Sequence, residues 1–418
     1  MLTERENERL SCVGPGTPMG NVLRRYWHPV ATVPDLDREK VLGLRILGED
    51  LALYRSDRGE PGLVQQRCPH RSASLAYGIP DADGIRCPYH GWYFNKEGQC
   101  LAQPYDDTEN LASTFKDKIT ITAYPVEEMG GLVWAYIGPP EKRPLLPRWE
   151  GFVREGVHKS IGVTHLPCNW LQCMENSLDP VHFEWLHANL MNFLAKKKGE
   201  PPVMKPTRHV KIAFDVFEYG IYKRRLLEGD DPETSPDWLV GHPVLFPNIL
   251  AFKSESGGSF QIRVPIDDTH TWHLMYGTRL LQNGEAPTLT VRELPWQHED
   301  GRLYLDTVIG TDMMAWITQG PLAPRHLERL GVSDRGVILY RSMLSDAIDA
   351  VERGEDPPGL VRDPAKNYPM LTYRGEDDLG VARTAFQLPG RRAPQPQELA
   401  GKNGQRVAPA PTVAVQDR

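Results

Sequence analysis

Apolar, β-prone residues come in short runs through the first third of the chain, at 42–47, 51–54, 63–65, 84–87, 92–94 and 132–137. Turn pairs such as Asp83-Gly84 and Glu97-Gly98 punctuate them, which predicts a small all-β unit. Ahead of it a charged opening leads to a Gly-Pro-Gly-Thr-Pro turn at 14–18. The run 21–27 reads as a short helix that this turn starts and His28-Pro29 stops. Prolines at 139, 140, 144 and 147 form a seam, the best boundary in the chain. Beyond it the pattern changes. Helical stretches at 170–194, 304–319 and 334–353 flank strand candidates at 210–217, 221–227, 244–252, 260–264 and 272–281. From Gly390 onward Pro, Gln and Ala appear without apolar periodicity, as in a tail that cannot bury enough surface to fold alone. The expected organisation is an N-terminal helical segment (1–40), a β domain (41–145), an α+β domain (146–389) and a disordered tail (390–418). No internal repeat is visible.

Composition narrows the function classes. The 418 residues suffice for two or three domains, and 40% hydrophobic with 25% charged residues is ordinary for a soluble globular protein. A net charge of −7 leaves no basic footprint for nucleic acid or an anionic membrane. The opening MLTERENERL is too charged for a signal peptide, and no apolar run approaches the ~18 residues of a membrane span. The six cysteines (12, 68, 87, 100, 168 and 173) lack disulfide spacing, so a cytoplasmic protein is expected.

Two of those cysteines carry chemistry. Cys68-Pro69-His70 and Cys87-Pro88-Tyr89-His90 supply one thiolate and one imidazole from each of two short stretches. A Rieske-type [2Fe–2S] cluster holds one iron by two Cys and the other by two His. Structural zinc also accepts two Cys and two His, but a zinc finger pairs like with like along the chain. Arg71-Ser72 and Gly91-Trp92 complete a pattern that resembles the Rieske motif, C-x-H-R followed by C-x-x-H-G-W.

A second donor set lies in the helical stretch at 170–194. His182 and His187 are the imidazoles to choose for a site of two His and one carboxylate, which leaves positions open for oxygen and substrate on a non-haem Fe(II). Five residues on an α-helix leave two side chains ~140° apart. The helix must therefore break or widen by one i→i+5 turn between them, with Pro180 a plausible cause. The plain alternative is two unrelated histidines near an interface.

With both motifs present in order, the chain resembles the oxygenase α-subunits of the Rieske non-haem iron oxygenases, whose iron motif runs E/N-x-x-D-x-x-H-x-x-x-x-H. The likeness spans roughly residues 14–390. It implies a Rieske domain followed by a helix-grip catalytic domain, an antiparallel sheet with helices, holding one Fe(II). It also implies that Asp179 is no ligand but a bridging carboxylate, bonded to His182 and facing a cluster histidine of the next subunit. Glu175, Asn169 and Asn176 line the same stretch, and Asn169 could equally cap a helix. The third ligand would be a distant carboxylate, Asp306 or Asp312. The surroundings of Asp312 resemble the Q-D-x-x-x-W stretch of phthalate-dioxygenase-like members, which favours Asp312, although Thr311 stands where Gln is usual.

Residues 14–20, 24–30 and 75–80 resemble the group containing dehydrodivanillate O-demethylase and phenoxybenzoate dioxygenase oxygenase components. That implies an aromatic acid oxidised by O-demethylation or aryl-ether cleavage, with ring cis-dihydroxylation and a Rieske electron carrier as alternatives. The chain offers no plant-type Cys array and no G-x-G-x-x-G after a strand, so electrons are expected from a separate ferredoxin or NAD(P)H reductase. A homotrimer is expected, with the cluster of one subunit facing the iron of the next. Phe246, Asn248 and 261–264 are the candidate pocket residues, with Arg263 either holding a carboxylate or simply facing water.

Overall fold

The computed structural model describes residues 2–254 and 257–370. The predicted tail (390–418) and the end of the predicted catalytic domain lie outside them. Glu4–Ser11 forms a helix because Thr3 and Glu6 cap each other's backbone amides. The next helix is Pro18–Leu23 rather than 21–27: Thr17 caps it and Pro18 occupies the first position, where a missing N–H costs nothing. His28 and Pro29, expected to stop a helix, lie inside a strand, Trp27–Thr32, whose register slips between Pro29 and Ala31. That irregularity is where a residue without an N–H fits a ladder.

This strand joins Leu132–Tyr136 and Val126–Met129 in a three-stranded antiparallel sheet, so the first 40 residues are not purely helical. Two four-stranded antiparallel sheets make up the rest of the β region. One contains Val41–Ile46, Glu49–Arg55, Pro61–Gln65 and Ala123–Tyr124. The other contains Ile79–Asp81, Gly84–Arg86, Tyr93–Asn95 and Cys100–Ala102.

Beyond the proline seam stands an eight-stranded sheet. Its order is His209–Phe217, Gly220–Leu227, His242–Leu245, Ile249–Ser254, Gly257–Pro265, Thr271–Leu280, Val157–Leu166 and Leu289–Glu293, antiparallel except for the last pair. The run expected as one strand at 244–252 is thus two. Val157–Leu166 and Leu289–Glu293 were not expected: the first interleaves His, Lys and Ser with its apolar residues, and the second is short. Among the helices of this region, Trp170–Leu178 packs on the sheet, and Val308–Ile317 and Arg335–Glu352 pack on it in turn. The opening segment is tied to it: the Trp170 indole donates to the Ser11 carbonyl at 3.2 Å, and Arg325 to the Asn7 side chain at 3.0 Å. Backbone bonds from Leu47 to Pro265 (3.0 Å) and Gly48 to Ile266 (2.9 Å) couple the β region to the large sheet. Among the described residues no helix is long and apolar enough to cross a membrane.

Candidate metal centres

The two cluster loops are built alike. After Pro61–Gln65 the chain turns so that the Ser72 N–H bonds the Cys68 carbonyl (2.9 Å) and the Cys68 N–H bonds Ala73 (2.9 Å). Between Gly84–Arg86 and Tyr93–Asn95, Gly91 bonds back to Cys87 (2.9 Å) and Cys87 to Trp92 (2.8 Å). Each turn closes on a left-handed residue, Ser72 at φ +57° and Gly91 at φ +74°. This requirement explains the glycine of the second motif. Cys68 and Cys87 are both 2% exposed, whereas His70 and His90 reach the surface. The two imidazole centroids stand 4.5 Å apart, and His70 stacks on Trp92 at 4.6 Å. Burial pushes the Cys68 thiol up to about 12, so Cys68 becomes thiolate only when a cation shares it. Two buried sulfurs below two exposed imidazoles fit a cluster that meets a redox partner by its histidine edge.

The second set sits where the helix Trp170–Leu178 ends. Asn169 is its N-cap, its side chain accepting from the Leu171 N–H at 3.0 Å, so the capping alternative holds. The helix stops at Asp179-Pro180, and Phe183–Leu190 continues as a π-helix before the α-helix Met191–Lys198. The widened turn brings His182 and His187 to 5.1 Å between ring centroids. From the helix Val308–Ile317, Asp312 extends Oδ1 to 3.3 Å from His187 Nε2 and 3.7 Å from His182 Nε2. One donor atom from each of the three lies within 4.8 Å of the others. Their mutual separations and donor types suit a single divalent ion with open positions. Asp306 is not part of the set; it is exposed and paired with Lys198 at 2.5 Å.

Neighbours fix the donors. The Thr311 hydroxyl donates to the Val308 carbonyl at 2.7 Å, so its oxygen accepts from His187 Nδ1–H at 3.0 Å. That sets the tautomer and leaves Nε2 with a lone pair toward Asp312. Thr311 thus supplies a function that the departure from Gln left open. Asn176 donates to Asp312 Oδ1 at 3.3 Å. His182 Nδ1 faces Asp179 Oδ2 at 3.7 Å, a contact but not the direct hydrogen bond expected. Asp179 Oδ1 is instead taken by the Val181 N–H at 2.7 Å, the first amide after Pro180. Burial would raise the Asp179 carboxyl, but His182, the Val181 N–H and Lys223 together hold it below its ordinary value. Glu175 is structural, bonded to Arg325 and Arg341. Sequence reasoning missed Lys223, which burial pushes down to about 8 and which feels Asp179 and Asp312. Beside Arg224 and Arg225 it reads as part of a solvated run of charge, so the local pattern carries no signal for it.

Comparison with known proteins agrees with this geometry. Residues 26–125 match the Rieske [2Fe-2S] domain model, and residues 305–377 a model described as LigXa C-terminal domain like. The chain is 42% identical over 371 residues to the 5,5'-dehydrodivanillate O-demethylase oxygenase subunit of Sphingobium sp. (strain NBRC 103272 / SYK-6), covering 88% of this chain and 85% of that one. It is 35% identical to phenoxybenzoate dioxygenase subunit alpha of Ectopseudomonas oleovorans, covering 84% and 87% respectively. Among solved structures, Pseudomonas putida CBB5 NdmA with caffeine aligns at a TM-score of 0.62 and 20% identity, over 84% of this chain and all of that one, a likeness of fold.

Proposed function

The chain belongs to the Rieske non-haem iron oxygenases as an oxygenase subunit, and from that premise we propose that it oxidises a methoxylated or diaryl-ether aromatic acid. The observation that carries the reading is the convergence of His182, His187 and Asp312 in one partly enclosed site behind a Rieske domain. In this reading Cys68 and Cys87 hold one iron of the cluster, His70 and His90 the other, and His182, His187 and Asp312 the mononuclear iron. When bound, the cluster supplies electrons singly and the mononuclear iron supplies O₂ chemistry.

The protein's own groups then have defined tasks. Thr311 keeps the His187 proton on Nδ1, and Asn176 steadies the Asp312 oxygen. Asp179 lies beside His182 with a side chain 27% exposed, and so can face a neighbouring subunit. The reaction balances as methoxyaryl plus O₂, two electrons and two protons giving phenol, formaldehyde and water. Electrons come from a separate ferredoxin or reductase. The reading includes a homotrimer, a cytoplasmic location suited to six cysteines none of which is in a disulfide, and the domain division at about residue 145.

The test is turnover of a panel of methoxyaryl and phenoxyaryl acids with a reconstituted reductase. Formaldehyde or ring–ring scission from at least one acid is expected. A cis-diol as sole product would replace this chemistry with ring dihydroxylation.

A further inference from the structure

Three polar side chains on strands of the large sheet have no adequate partner. Lys223 is 8% exposed, and its ammonium makes no hydrogen bond or ion pair with any described residue. Arg263 and His273 are wholly buried and face each other across adjacent strands. Arg263 donates to the Gln261 carbonyl at 3.2 Å and to the Gln261 side-chain oxygen, but its Nε is unpartnered. Both ring nitrogens of His273 are unpartnered, as is the indole N–H of Trp316. Arg263 lies 5.5 Å from the Trp316 ring and His273 5.3 Å from it. Trp316 follows Asp312 by four residues on one helix, so it stands one turn from the proposed iron ligand.

Burying a cation without a counter-charge is expensive, and a buried hydrogen-bonding group left open is nearly always explained by an absent partner. The carboxylates that reach this cluster are Asp312, felt by both cations, and Asp179, felt by Lys223. Asp312 is the one committed to a divalent ion in the oxygenase reading, so the region then holds more positive charge than the protein balances. Burial keeps His273 neutral by pushing its pKa well below the ordinary value, which leaves it one N–H to donate. The apolar side chains packed around Trp316 are Leu166, Met313 and the Cys168–Cys173 pair. Apolar side chains beside a guanidinium and a neutral imidazole, with an ammonium within electrostatic reach, suit a flat ring that carries one carboxylate, for which the arginine fork is matched.

We propose that Lys223 and Arg263, aided by His273, receive the substrate's carboxylate and thereby set the reach of the aromatic ring toward the His182–His187–Asp312 site. The inference rests on the oxygenase reading for its location, but its test does not depend on turnover. Calorimetric titration of the cluster- and iron-loaded protein, unreduced, would compare 3-methoxybenzoate with neutral 3-methoxybenzamide. The wild type should bind the acid at least about 10-fold tighter. Lys223→Met and Arg263→Met should each cut the acid-to-amide ratio by about 10- to 100-fold, the scale of one hydrogen bond to a charged group. Lys223→Arg should restore most of it. Cluster absorbance and iron content verify that each variant is intact, and if Arg263→Met does not fold, Lys223→Met decides. Wild-type protein that binds neither probe, or both alike, overturns the proposal. So does an undiminished ratio in folded Lys223→Met. Acid preference as proposed, with no product from any aryl acid, would instead sink the oxygenase reading.

Discussion

At the scale of single residues, the account turns on which carboxylate and which hydroxyl touch the histidines. Asp312→Ala should lose iron and all turnover, while Asp306→Ala should keep both, because Asp306 pairs with Lys198 at the surface. Metal analysis after gel filtration reads the difference. Thr311→Val keeps the shape but removes the acceptor for His187 Nδ1–H, and should weaken iron binding by about 10- to 100-fold with the cluster spectrum unchanged. His182, His187 and the cluster ligands were legible because each motif is short and contiguous. Asp312 was legible only through resemblance, since nothing local joins position 312 to 187. Arg263 had been placed in the pocket with its role open, and Lys223 was not singled out at all. Their meaning depends on a sheet that brings strands 40 residues apart beside one helix end.

At the scale of elements, the widened turn is the device that lets histidines five apart converge; the spacing called for either a break or such a turn, and the structure has the turn. Glu184 within that turn accepts from the His209 ring at 2.7 Å and from its backbone N–H, which pins the turn to the edge strand. The helix Trp170–Leu178 is held by Glu175 between Arg325 and Arg341. Burial works to raise the Glu175 carboxyl, yet the two guanidinium groups hold it below its ordinary 4.5. The folded protein therefore binds this proton less readily than the unfolded chain. The resulting stabilisation is complete above about pH 4.5 and is lost as pH falls through the depressed folded value. Glu175→Gln should cost about 3 kcal/mol at pH 7 and flatten that part of the acid profile, as denaturant melts at several pH values would record. Elements whose apolar runs stand clear of polar residues were legible. Pro29 misled because its place at an irregularity depends on the distant partner Leu132–Tyr136.

At the scale of the whole molecule, the exposed edges matter most. His70 and His90 face outward, and Asp179 is partly open beside His182. In a closed ring of subunits the cluster of one chain would meet Asp179 of the next. Asp179→Asn should then leave cluster and iron in place yet slow electron passage between them. Mixed rings of Asp179→Asn and His90→Ala subunits should regain part of the activity, and a fully active monomer would exclude the ring. The ring is an expectation that rests on family likeness alone, because a surface that meets another subunit leaves no periodic mark in the sequence. The most direct measurement is a single turnover. Wild-type protein, chemically reduced and loaded with iron, is exposed to O₂ with a methoxyaryl acid that it binds, and no reductase is added. Formaldehyde and the matching phenol should appear in equal amounts as the cluster reoxidises, and neither should appear in Asp312→Ala. Cluster reoxidation without either product in the fully loaded wild type, or equal product from Asp312→Ala, would contradict the account.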